Sequence, residues 1–263
     1  MNKKKVKSKK QVIKKKLHLT HKRKTKMKKS INIFSNETKK IKSGIKNLDN
    51  LIEGGFNKNS TNLLIGESGS GKSIFGVQFL LEGIKNNENC LFISFEEKRN
   101  SFYSNLNKIG INLERLEKQG KFFFLEYTPQ KINNMLEEGG GEVETIVLTK
   151  DIKRMVIDSV TSFMLLFKDG ISKKEATISL FNLLGEWDCT TLLTFDQDLS
   201  KDDESSKIID LEADSVIQLS FIEKGKERSR RLEILKMRGT NHSLKKHNFS
   251  IGKNGVVIGR ASR

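Results

Sequence analysis

The segment TNLLIGESGSGKSIFGVQFL, residues 61–80, constrains the fold more than any other part of the chain. An apolar run of strand length, residues 61–65, breaks into a glycine-rich loop. The helical pattern that follows, over about residues 71–86, repeats Ile74, Val77, Leu81 and Ile84 at three- and four-residue spacing, which predicts a buried face. Between the two, Gly66, Glu67, Ser68, Gly69, Ser70, Gly71, Lys72 and Ser73 fit G-x-x-x-x-G-K-[ST]. Glycines allow backbone angles that turn successive N–H groups inward, making a nest for an anion. The helix adds its positive N-terminal end. In such a loop Lys72 reaches the β- and γ-phosphates of a nucleotide and the Ser73 hydroxyl binds Mg²⁺.

The remaining chain supplies the context that this loop requires. NCLFISF (89–95), KFFFLEY (121–127), KRMVIDS (153–159) and TTLLTF (190–195) are predicted strands. The continuous apolar character of NCLFISF marks a strand covered on both faces, and KRMVIDS reads as a further buried strand. Helical stretches are expected near 44–53, between the second strand and Gly120, after 127, and over 172–187. From Ala213 onward the pattern turns β-rich, with Asn254-Gly255 as a hairpin turn. Strands alternating with helices before a β-rich end predict an α/β fold, a mainly parallel sheet with antiparallel additions.

A phosphate loop needs a second acid for its metal. Asp158, at the end of the apolar run 155–157, has the right type and context. Hydrolysis further requires a group that orients and deprotonates water. Glu96 and Glu97 directly follow the second strand, at the edge where ligands collect in open α/β sheets. Sequence alone does not say which of the two serves.

Charge is unevenly placed. The net charge is +17, and residues 1–36 hold 14 Lys, one Arg and no acid, which leaves about +2 for the rest. Two parts are therefore expected: a basic, disordered arm over 1–36 and a globular domain over 37–263. The arm suits a polyanion such as nucleic acid, or it is a solvated tail. No apolar stretch of signal-peptide or membrane-span length follows it, so a soluble, cytoplasmic protein is expected. Cys90 and Cys189 sit in apolar runs without metal-ligand spacing and read as buried free thiols.

Together these segments resemble the KaiC-like branch of the RecA superfamily of ATPases, over about residues 40–260. SGIKNLDNLIEGGF is similar to that family's opening motif, with Ser43 where Thr is usual. The phosphate loop, LFISFEEK, GINLERLEKQGK, VIDSVTSF and LKMRGTNHS (235–243) match further stretches in order. The resemblance implies ATP and Mg²⁺ as ligands, Glu96 and Glu97 as catalytic acids, and rings, usually hexamers, with ATP between subunits. It also implies that Lys236 and Arg238 reach the γ-phosphate held by a neighbouring subunit. From the residues alone, the pair would read as cations on a solvent-facing strand. The clock protein KaiC carries two such domains and this chain one, so autophosphorylation and timekeeping are not carried over.

A ring-forming regulatory or signalling ATPase is the favoured expectation. A DNA recombination or repair ATPase of the RadA/RadB type is the alternative. Residues 196–210 contain five Asp and one Glu against two Lys, and would repel a DNA backbone where a recombinase needs to hold it. A third reading tethers the ATPase to nucleic acid through residues 1–30, where several arms on one ring would add avidity. Phosphate transfer to Ser159, Thr161 or Ser162 is a lesser alternative, since hydroxyls there fit better as helix caps or metal-shell supports. Deleting residues 1–30 is expected to leave ATPase activity intact and to reduce salt-sensitive binding to a polyanion. Assays of both properties on the same truncated protein check this, and unchanged polyanion binding would leave the arm without that role.

Overall fold

Parallel strands that are apolar along their whole length persist only where helices cover both faces of the sheet, and this chain meets that condition. The computed structural model describes residues 39–138, 141–197, 209–225, 227–253 and 255–261, so the basic arm lies outside the described residues. A short β1 (Lys40–Ile41), a 3₁₀ turn (Asp49–Leu51) and β2 (Phe56–Asn57) open the fold. Then come β3 (Thr61–Gly66), α1 (Lys72–Lys85), β4 (Asn89–Ser94), α2 (Arg99–Lys108), α3 (Leu113–Lys118) and β5 (Phe122–Glu126). They are followed by α4 (Pro129–Glu138), α5 (Glu142–Thr149), β6 (Ile152–Asp158), α6 (Val160–Met164), α7 (Gly170–Glu186) and β7 (Thr190–Asp196). Four strands finish the chain: β8 (Ser215–Lys224), β9 (Glu227–Met237), β10 (His247–Gly252) and β11 (Gly255–Ala261).

The main sheet has nine strands in the order β11-β10-β9-β8-β3-β7-β6-β4-β5. From β8 to β5 the neighbours are parallel, and β9, β10 and β11 add on antiparallel. This is the α/β architecture that the alternation of strands and helices predicts. Along β3, Leu64 enters one core with Phe75, Phe79, Phe92 and Val156, beneath α1, α2 and α3. Leu63 and Ile65 enter the other with Leu91, Ile93, Met155 and Leu193, beneath α5, α6 and α7. Each such fully buried side chain contributes about 1.5–3 kcal/mol.

Some local expectations change. The helical stretch near 44–53 is only a 3₁₀ turn, because Glu53, Gly54 and Gly55 all take positive φ and reverse the chain into β2. The helix expected before Gly120 is two helices, broken at Gly110 (φ +87) and restarted by the Asn112 side chain, which accepts the Arg115 N–H at 2.9 Å. Helix α5 is unexpected. Asn254 lies outside the described residues, but β10 and β11 pair antiparallel on either side of it, Gly252 opposite Gly255.

Buried and long-range hydrogen bonds hold the sheet to its surroundings. Arg154 of β6 is 1% exposed. Its guanidinium pairs with Glu88 (2.5 Å), donates to the carbonyls of Lys42 and Phe79, and stacks over the Phe79 ring. All this joins the opening segment to α1 and to the turn before β4. The opening segment also reaches the last strand: Lys46 bridges Val257, Ile258 N–H donates to Lys46 O, and the Asn47 amide donates to Ile258 O at 2.7 Å.

The Gly54-Gly55 pair shows what its two glycines are for. A Cβ on Gly55 would lie 1.9 Å from the Ile41 carbonyl oxygen, whereas one on Gly54 would meet nothing within 4 Å. Gly55→Ala is therefore expected to destabilise by more than about 2 kcal/mol, and Gly54→Ala by only about 1 kcal/mol from its positive φ. Denaturant unfolding of both variants checks the order.

Candidate functional site

Hydrogen-bond register sets the site. In the sheet Gly66 of β3 lies beside Asp196 of β7, and Ser94 of β4 beside Asp158 of β6. The carboxyl ends of four parallel strands thus meet at one edge, where ligands gather in open α/β sheets. The loop from Gly66 to Gly71 crosses this edge and turns into α1 with Gly69 at φ +75 and Gly71 at φ +110. A Cβ on Gly66 would approach the Leu219 carbonyl to 2.7 Å, and one on Gly71 would reach Ile251 at 2.4 Å. The Ser70 hydroxyl oxygen is buried without a hydrogen-bond partner in the protein.

Lys72, the first residue of α1, is 8% exposed. Its ammonium donates to the carbonyls of Gly66 (2.8 Å) and Glu67 (3.1 Å) and to Asp196 Oδ1 (2.5 Å). The next residue, Ser73, hydrogen-bonds Asp158. Thr194 on β7 donates to Asp158 Oδ1 at 2.5 Å. A hydroxyl and a carboxylate side by side are hard oxygen donors, the kind Mg²⁺ takes in ones or twos together with phosphate and water. Burial pushes the Asp158 carboxyl above the ordinary aspartate range, against the pull of Ser73, Thr194 and Lys72, and Glu96 adds to the rise.

A cavity of about 460 Å³ opens over this edge, lined by Ser68, Gly69, Gly71, Lys72, Ser73, Ile74, Ser94, Glu96, Glu97, Asp158, Asp196, Arg230 and Ile251. Its volume suits a small ligand. The two adjacent glutamates diverge. Glu96 Oε1 accepts the hydroxyls of Ser159 (2.8 Å) and Ser162 (2.6 Å), which holds it on the Asp158 side. Glu97 Oε1 accepts Ser101 and Asn105 of α2, both at 2.9 Å, and so leans away from Asp158.

Lys236 and Arg238 are not at this cavity. Leu63 pairs with Val216, and Val216 with Lys236, so Lys236 is level with a residue three positions before Gly66. At strand spacing that is about 10 Å toward the opposite edge, and Arg238 is further still. Strand β9 ends at Met237, so Lys236 stands within the strand and Arg238 just beyond it. The two side chains nevertheless converge: both donate to the Leu211 carbonyl, Lys236 also to that of Asp210, and Arg238 pairs with Asp214 at 3.4 Å.

Two charged residues of the cavity lining escape a reading of the sequence. Asp196 reads there only as the first acid of an acidic run, although its place at the end of a buried strand was a signal. Arg230 of β9 points its guanidinium at the Gly69 carbonyl (3.5 Å), and Arg228 pairs with Glu67 at 3.2 Å. Both guanidiniums flank the Phe221 ring.

The profile of the family described as "ATPase: KaiC" matches residues 41–263. UPF0273 protein MJ1359 of Methanocaldococcus jannaschii is 30% identical over 84% of this chain and 96% of its own length. The circadian clock oscillator protein KaiC of Thermostichus vulcanus is 32% identical over 85% of this chain but 45% of its own, so the chain spans about half of that relative. Among solved structures, the KaiC-like protein PH0186 from Pyrococcus horikoshii superposes with a TM-score of 0.75 at 33% identity, covering 85% of this chain and all of that one.

Asp158 yields a prediction with a definite sign. A carboxyl whose native pKa is raised adds stability below its unfolded value, and that stability is lost as pH rises through the native value. In EDTA and without nucleotide, the melting temperature of Asp158→Asn relative to wild type is therefore expected to increase as pH rises above about 4 and to level off once the native carboxyl has ionised. Thermal unfolding across that range checks this, and a difference that shrinks with rising pH would contradict it.

Proposed function

The chain belongs to the KaiC family of ATPases, and from that premise we propose that it binds and hydrolyses Mg-ATP in a ring of identical subunits with a regulatory task. One observation carries the reading: Lys72, Ser73, Asp158 and Glu96 converge on one cavity at the carboxyl edge of the parallel sheet. The loop glycines and the start of α1 hold the phosphates, and Lys72 meets the β- and γ-phosphates. Ser73 and Asp158 hold Mg²⁺, which would neutralise charge on the phosphate oxygens. Glu96 takes the proton of the attacking water; both serines bind its Oε1, which leaves Oε2 without a bond from either. Glu97, drawn toward α2, has the lesser part.

The distance of Lys236 and Arg238 from the cavity of their own subunit supports a role in trans. Two cations gathered on the same carbonyl form one patch, able to serve a single anion presented by a neighbour. In this reading residues 37–263 form the ATPase domain and residues 1–36 a basic arm that meets a polyanion. Among the described residues no helix is long and apolar enough to cross a membrane.

Light scattering with ATP, with ADP and without nucleotide, followed by ATPase rates on the same sample, tests the proposal. An ATP-dependent ring with measurable turnover is expected, and Glu96→Gln should keep nucleotide binding while losing turnover by ~10²-fold or more. A monomer that binds ATP without turnover would remove both the ring and the trans role of Lys236 and Arg238.

A further inference from the structure

The Lys72 ammonium spends all its hydrogens within its own chain. An ammonium has three donors, and Gly66 O, Glu67 O and Asp196 Oδ1 are three acceptors. A phosphate oxygen can receive an N–H from Lys72 only if one of them gives way. Two are carbonyls of the phosphate loop itself, held by the backbone that shapes the nest. The third is a side chain, the one charged acceptor of the three. We propose that Asp196 is a positioning residue that holds the Lys72 ammonium and competes for it with the phosphate of a bound nucleotide. The inference rests on the nucleotide-site reading above.

The contact is built into the fold. Asp196 ends β7 directly beside Gly66, so the sheet sets the distance between the carboxylate and the loop. Its N–H donates to Thr161 Oγ1 at 2.7 Å, which ties it to α6. The side chains of Lys72 and Asp196 are 8% and 18% exposed, so water screens their attraction far less than it would a surface pair. Asp196 also opposes a phosphate by its own charge. Among the described residues four carboxylates line the cavity, Glu96, Glu97, Asp158 and Asp196, against the cations Lys72 and Arg230. The same competition assists product departure, because a carboxylate that recaptures Lys72 removes one of the bonds holding the nucleotide.

Calorimetric titration with Mg-ADP at fixed ionic strength tests this, using wild type, Asp196→Asn, Asp196→Ala, Asp196→Glu and Lys72→Ala. Asp196→Asn and Asp196→Ala are expected to bind Mg-ADP about fivefold tighter or more, while Asp196→Glu stays near wild type. Without nucleotide the two neutral variants should melt below wild type, because Lys72 loses its partner. Mg-ADP should then raise their melting temperature by more than it raises that of wild type. A merely structural role would lower the melting temperature with no gain in affinity. Equal or weaker binding by both neutral variants overturns the inference, provided wild type binds and Lys72→Ala does not. If Asp196→Ala does not fold, Asp196→Asn, which matches the native side chain in size, decides alone. Wild type that binds neither Mg-ADP nor Mg-ATP overturns the nucleotide-site reading itself, and the inference with it.

Discussion

Backbone hydrogen bonds between β3, β7, β6 and β4 fix where every polar group of the site can stand. The strands run parallel, so their carboxyl ends collect at one edge. Their register puts Gly66 beside Asp196 and Asp158 beside Ser94. A slip of one residue would turn Asp158 toward the opposite face and bury Ile157 or expose it in its place. The two apolar cores prevent that slip, because each strand alternates between them. The precision of the polar edge therefore derives from apolar packing well below it.

That edge concentrates charge at a cost to the fold. Asp158 is desolvated, and Lys72 is enclosed against Asp196. Removing one partner of such an arrangement leaves the other stranded, which makes each member sensitive to replacement. Arg154 is a different case. Its buried guanidinium is fully engaged by Glu88, two carbonyls and a ring, and it binds elements together away from the cavity.

Much of this was legible in the sequence because it is local. Lys72 and Ser73 follow their glycines at a fixed spacing, and Asp158 ends an apolar run, so each carries its context with it. The strands and their order along the chain were equally plain, since continuous apolar runs of five to seven residues admit few other readings. Asp196 was not legible as the partner of Lys72. That contact requires β7 to lie between β3 and β6, and chain order does not disclose neighbours in a sheet. Glu96 and Glu97 are alike as letters and differ through the hydroxyls of Ser159 and Ser162 at the start of α6 and a hydroxyl and an amide on α2. Arg154 would have been placed on a surface by its charge, because its partners come from segments 66 and 112 residues distant. The convergence of Lys236 and Arg238 depends on the carbonyls of Asp210 and Leu211, which no periodicity announces.

The ties between the opening segment and the last strand bear on how the molecule is made. Lys46 and Asn47 find their partners at Val257 and Ile258, more than 200 residues later. During synthesis, the turn that precedes the phosphate loop must wait for β11 before its hydrogen bonds can close. Contacts of such long sequence separation slow folding, and they place completion of the domain after translation of its final strand. They also bring residues near positions 46 and 258 together in space. A circularly permuted chain, joined between positions near 40 and 261 and opened at an exposed turn such as Gly120, would retain every strand pairing described for this sheet.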